Sequence, residues 1–87
     1  MRRYYVGIDP GLSGAAVVLD DRSVVFVVSW KPAQRNRRRV VRFTVRDAQG
    51  GRESVLPRLS SVGRALVGEC TRHGVTGALI AVEDTFM

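Results

Sequence analysis

Tyr4-Tyr5-Val6-Gly7-Ile8-Asp9-Pro10-Gly11-Leu12-Ser13-Gly14-Ala15-Ala16-Val17-Val18-Leu19 is the stretch whose reading decides the fold. The apolar run from Tyr4 leads straight into Gly7-Ile8-Asp9, so residues Tyr4–Asp9 read as a short buried strand. Gly11-Leu12-Ser13-Gly14 is turn chemistry, with two glycines free to take positive φ. Ala15–Leu19 is then a second strand, and Asp20-Asp21-Arg22 a second tight turn. Val24–Trp30 is rich in β-formers and makes a third strand. Two tight turns joining three short apolar runs predict an antiparallel three-strand meander. Pro32 is expected to end it, because proline has no N–H for a ladder.

Beyond the meander the patterning changes twice. Lys31–Arg39 reads as a polar, basic loop. Val40–Val45 alternates, with Val41, Phe43 and Val45 on one face and Arg42, Thr44 and Arg46 on the other, the mark of a half-buried strand. Asp47–Gly51 closes in Gly-Gly, a turn or hinge, so residues 31–52 are expected to form a basic insertion or flap. From Ser54 the spacing of Val55, Leu59, Val62, Leu66 and Cys70 predicts an amphipathic helix. Ser54 is its expected N-cap, Pro57 falls in its first turn, and Gly74 stops it. The helix then acts as a crossover to Ala78–Val82, a strand expected to lie parallel to the first. The expected class is α/β: a meander, a crossover helix and a parallel strand in one domain of 87 residues.

That second apolar run leads directly into Glu83, as the first leads into Asp9. Two carboxylates far apart in sequence, each at the end of a buried strand, suggest a site for a hard divalent cation. Such ions take oxygen ligands, commonly one or two carboxylates plus water and phosphate. A pair of them stabilises both the attacking and the leaving oxygen of a phosphodiester.

Gly7-Ile8-Asp9-Pro10-Gly11 and Ala81-Val82-Glu83-Asp84-Thr85-Phe86 together resemble the RuvC-like Holliday-junction resolvases of the ribonuclease H-like superfamily. The resemblance anchors both ends of the chain and leaves residues 31–52 unmatched. It implies a ribonuclease H-like partial fold and metal-dependent endonuclease activity on branched DNA. Asp9 and Glu83 would be the catalytic, metal-holding acids, with Mg2+ or Mn2+ as cofactor. Enzymes of that family draw further acids from a late helix. This chain stops at Met87, just after the second acid, and looks like the N-terminal half of such a domain, so negligible turnover is expected of it alone.

Charge points the same way. The net charge is +6 and the isoelectric point about 11.0, which favours a polyanionic partner. Nine of the fourteen basic residues fall between Lys31 and Arg58. Ser13, Arg35, Arg37, Arg38, Arg39, Arg42 and Arg46 are the expected contacts to nucleic acid, the arginines because guanidinium grips phosphate bidentately. The plain alternative for the basic strand is an edge kept from aggregating by charge. No apolar stretch approaches a membrane span, and the one cysteine, Cys70, fits a buried site in a cytoplasmic protein. A chain this small buries little surface, and an exposed Ala78–Val82 edge predicts a homo-oligomer.

Each site residue has a plainer role to set against the functional one. Asp-Pro-Gly is good turn chemistry anywhere, and Glu83 could be an ordinary polar residue after a strand. Asp84 is a weaker candidate helper. His73 reads as a solvated helix-end residue, and Tyr4, Tyr5 and Trp30 as core or sheet surface. Two other functions compete with the nuclease: a non-catalytic nucleic-acid-binding or assembly module, and an actin-like ATPase fragment, which also opens with a strand, an acid and a glycine-rich turn.

Overall fold

The structure is a computed structural model describing residues 3–77 and 79–82. Its elements are β1 (Tyr5–Asp9), β2 (Gly14–Leu19), β3 (Val24–Arg35), β4 (Arg38–Asp47), β5 (Gly50–Leu56), a 3-10 turn (Leu59–Ser61), α1 (Val62–Arg72) and β6 (Leu79–Val82). They form one sheet in the order β5-β4-β3-β2-β1-β6. Strands β1 to β5 pair antiparallel in succession, and β6 lies parallel to β1 at the far edge. The architecture is therefore a mainly antiparallel sheet, a five-strand meander carrying one short helix. This corrects the α/β, ribonuclease H-like partial fold expected above, with its three-strand meander and long crossover helix.

Two local features account for the difference. The first is Pro32. Strand β3 runs through it to Arg35, and β4 begins at Arg38, so residues 31–52 form a long ribbon within the sheet rather than a loop or flap. A two-residue turn, Asn36-Arg37, joins the strands, both residues having positive φ (51° and 64°). That is the primed turn whose twist matches paired strands. Counting back from it, Pro32 stands opposite Val41 at a non-hydrogen-bonded position, so its nitrogen faces away from β4. On that other side β2 begins only at Gly14, level with Trp30. No ladder donor is needed from Pro32, and the strand passes through.

The second is Ser54-Val55-Leu56. These residues continue β5 instead of opening a helix. Helix α1 starts at Val62 with Ser61 as N-cap, and Ser61 makes no side-chain capping bond. Pro57 sits between β5 and the 3-10 turn. The expected stop at Gly74 is a full Schellman closure: the Gly74 amide donates to Thr71, and the Val75 amide to Cys70, at 3.1 and 2.8 Å. Gly74 takes φ of 70°, which a side chain would resist.

Alternation sorts the sheet into two faces. Val6, Ala16, Val18, Phe26, Val28, Trp30, Val41, Phe43 and Val45 are buried on one, with Val62 and Val75 from the helical segment. Ala65, Leu66 and Cys70 of α1 pack against the same cluster. On the other face stand Tyr5, Gly7, Asp9, Val17, Val27, Ser29, Lys31, Arg42 and Arg46, partly or fully exposed. Nothing among the described residues covers that face. No helix among them is long and apolar enough to cross a membrane.

Candidate functional site

Asp9 ends β1 on the open face, opposite Ala15 of β2, and is exposed. Its carboxylate has no hydrogen bond or ion pair among the described residues. An unpaired carboxylate on a strand end is held by the backbone and keeps its oxygens free for an incoming cation, so its chemistry fits a hard-metal ligand.

The turn after Asp9 is braced by a residue that sequence reading placed in the core or sheet surface. Trp30 is 6% exposed, and its indole N–H donates to the Gly11 carbonyl at 3.0 Å. Gly14 makes the brace sterically feasible. A methyl group at Gly14 would stand 2.6 Å from the Asp9 carbonyl oxygen and 2.7 Å from Trp30 Cε2, closer than atoms approach. Gly11 itself takes φ of 147°. The Asp-Pro-Gly-Leu-Ser-Gly segment is thus fixed by a tryptophan from the third strand. Sequence spacing carries no signal for this, since partner and turn are 19 residues apart.

Glu83 lies outside the described residues, as does Asp84. Strand β6, which precedes them, pairs with β1 in the register Tyr5–Leu79, Val6–Ile80, Gly7–Ala81 and Ile8–Val82. Among the described residues no three His, Cys, Asp or Glu side chains cluster as a metal site would need.

The expected nucleic-acid contacts separate. Arg35, Arg38, Arg42 and Arg46 alternate onto the open face of the β3–β4 ribbon, with Lys31 directly across from Arg42. Arg37 is at the turn. Arg39 falls on the helix-side parity and borders an apolar groove with Pro32, Val41 and Leu59. The run Arg37-Arg38-Arg39 is therefore not one patch. Ser13 lies near the open face, lining a depression with Ser29, Lys31 and Thr44.

His73 is not solvated as expected. Its side chain is 15% exposed and stacks on Phe26, the ring centres 4.4 Å apart. Nδ1 lies 2.9 Å from the Glu69 carbonyl, and Nε2 lies 2.9 Å from Asp47 Oδ2. Both partners only accept, so only a ring carrying both protons satisfies them. Burial pulls the imidazole down. The Asp47 hydrogen bond, the Glu69 carbonyl and the two nearby carboxylates outweigh it and raise it above the ordinary value. The His73 hydrogen bond, helped by the Gln49 amide, holds the Asp47 carboxyl low. Beside this clasp, Arg52 of β5 donates both Nη groups to Glu69, at 3.2 and 2.8 Å. That fork holds the Glu69 carboxyl low in spite of its burial. Burial raises the Cys70 thiol, which stays protonated against the core. These groups tie α1 to the sheet at the end far from Asp9, and they are structural.

Comparison with family models, with curated proteins and with solved structures gives no match. The RuvC-like resemblance therefore rests on the quoted residues alone.

Proposed function

We propose that this chain binds branched DNA through its β3–β4 ribbon and open sheet face, as part of a metal-dependent endonuclease to which it contributes two acids, Asp9 and Glu83. The observation that carries the reading is the register of β1 against β6. Ile8 stands opposite Val82, and the next residues in the chain are Asp9 and Glu83. Parallel pairing brings the C-terminal ends of β1 and β6 to one end of the sheet, and the proposal puts the shared cation there. The unpaired Asp9 carboxylate and the Trp30 brace support the same reading. A divalent ion bound there, as Mg2+ or Mn2+, would polarise a phosphodiester and activate water. Asp9 would hold the ion, Trp30 and Gly14 would hold Asp9, and the ribbon arginines would hold the DNA backbone.

A non-catalytic nucleic-acid-binding module is the second reading. The arginines of the β3–β4 ribbon serve it equally, since it needs no cation at Asp9. Binding to a four-way junction and to a linear duplex of equal length, across a salt series with and without Mg2+, tests the proposal. Preference for the junction, affinity falling with salt and strengthening by Mg2+ are expected. Metal-independent binding would favour the module, and no binding to either form, or binding insensitive to salt, would overturn both readings.

A further inference from the structure

We propose that the open sheet face carries a built phosphate-binding subsite, separate from the Asp9 position, that grips the backbone of the same nucleic-acid strand. It is a depression of about 380 Å3. This rests on the nucleic-acid reading above, but not on the metal.

Three hydroxyl-bearing residues, Ser13, Ser29 and Thr44, and three cations, Lys31, Arg42 and Arg46, line the depression. The register puts Ser29 opposite Thr44, and Lys31 opposite Arg42. Like charges directly across a sheet are destabilising, so this pairing costs stability unless an anion sits over it. Glu53 offers partial relief, its Oε1 lying 3.2 Å from Arg42 Nε. Lys31 and Arg46 have no ion pair among the described residues, so two of the three cations remain uncompensated. Hydroxyls mixed with guanidinium and ammonium groups are the donor set that takes phosphate oxygens. Such contacts fix the register of a strand without reading its bases.

The link to Asp9 is one transverse row of the sheet. Asp9 pairs with Ala15, Ala15 with Ser29, Ser29 with Thr44, and Thr44 with Glu53. At ~4.8 Å per strand, Ser29 is about 10 Å from Asp9 and Thr44 about 14 Å, all on one face. Ala15, the one side chain between, is small. A polynucleotide crossing the strands along this row would keep a phosphate in the depression while presenting a nearby phosphodiester to Asp9. Its direction across the sheet would thereby be fixed. A free phosphate ion could satisfy the same donors. The row leading to Asp9 favours the polymer.

The test is oligonucleotide anisotropy on the whole chain without divalent ions. Lys31→Ala/Arg46→Ala should flatten the dependence of log affinity on log salt by ~1.4 for a single strand, since two contacts at ~0.7 each are lost. Ser29→Ala/Thr44→Val should weaken binding at least about tenfold at fixed salt and leave that slope unchanged, as expected for two lost hydrogen bonds from uncharged hydroxyls. Ser29→Ala/Thr44→Ser, which restores the hydroxyl at position 44, should recover part of it. Thermal unfolding checks that each variant is folded. Unchanged slope and affinity in folded variants would overturn the subsite, as would inorganic phosphate displacing the oligonucleotide completely at matched ionic strength. Loss of metal binding in Asp9→Asn is read separately, so failure of the metal site leaves this result standing.

Discussion

Trp30 and Gly14 together decide where Asp9 stands. The indole N–H bond to Gly11 spans two strands, and the absence of a side chain at Gly14 lets the ring lie over the turn. Trp30→Phe keeps most of the packing and loses the donor, leaving the Gly11 carbonyl unpaired there. It should cost about 1 kcal/mol in urea unfolding. Gly14→Ala forces the added methyl against the Asp9 carbonyl and the Trp30 ring, and should cost about 2–3 kcal/mol. An alanine that is tolerated with no loss would mean that the turn is not braced in this way. Asp9 itself was legible in the sequence, since a short apolar strand ending in Asp-Pro-Gly marks its own end. Its brace was not legible, because the contact depends on the antiparallel return of a third strand.

At the scale of elements, the β3–β4 ribbon puts an arginine where glycine or asparagine would be more comfortable. Arg37 has φ of 64°, a conformation costing an ordinary L-residue about 1 kcal/mol. Arg37→Gly should therefore stabilise the hairpin by about 0.5–1 kcal/mol and weaken DNA binding, two effects of opposite sign. A variant both less stable and unchanged in binding would contradict the placement of Arg37 at the turn tip. The clasp between α1 and β4 gives a pH dependence. His73 is raised in the folded chain, so its stabilisation is complete below the unfolded value of about 6.5 and is lost as pH rises through the higher folded value. Asp47 is lowered, so its share is present above its ordinary value of 3.8 and is lost as pH falls through the folded one. The urea midpoint should be highest between the two windows and fall as pH rises through the folded His73 value. His73→Gln should flatten the alkaline fall. These elements also show what sequence could not give. The spacing of Val55, Leu59 and Val62 mimics a helical stripe, yet Val55 lies in β5 opposite Arg42. Pro32 reads as a strand end unless the length of β2 on its open side is known. His73 reads as solvated until Asp47, 26 residues away, is folded against it.

The whole molecule is a broad, thin plate, 47 × 36 × 18 Å, with α1 on one side of its sheet. The alternation and turns of residues 4–30 made the first three strands legible. The sheet as a whole was not, because long-range pairing carried it through segments whose local chemistry reads as loop. Strand β6 closes the sheet order next to β1, so among the described residues its other edge is unpaired. Unpaired edges and bare apolar surface draw a second chain, and Tyr5, Val24 and Val27 on the open face are 37%, 52% and 36% exposed. Sedimentation at micromolar concentration should show a dimer or larger species, and a clean monomer would contradict association through that edge.

A divalent cation bound where β1 and β6 end side by side is the centre of the proposed function. Mn2+ titrated into isotopically labelled protein reports this directly, through paramagnetic broadening of backbone amide signals. Broadening should spread outward from Gly7–Gly11 and Ala81–Val82, with low affinity because few protein ligands are supplied. It should vanish from both segments in Asp9→Asn, whose fold is otherwise intact. Broadening that leaves those amides untouched, or that persists unchanged in Asp9→Asn, would contradict the metal site and with it the endonuclease reading.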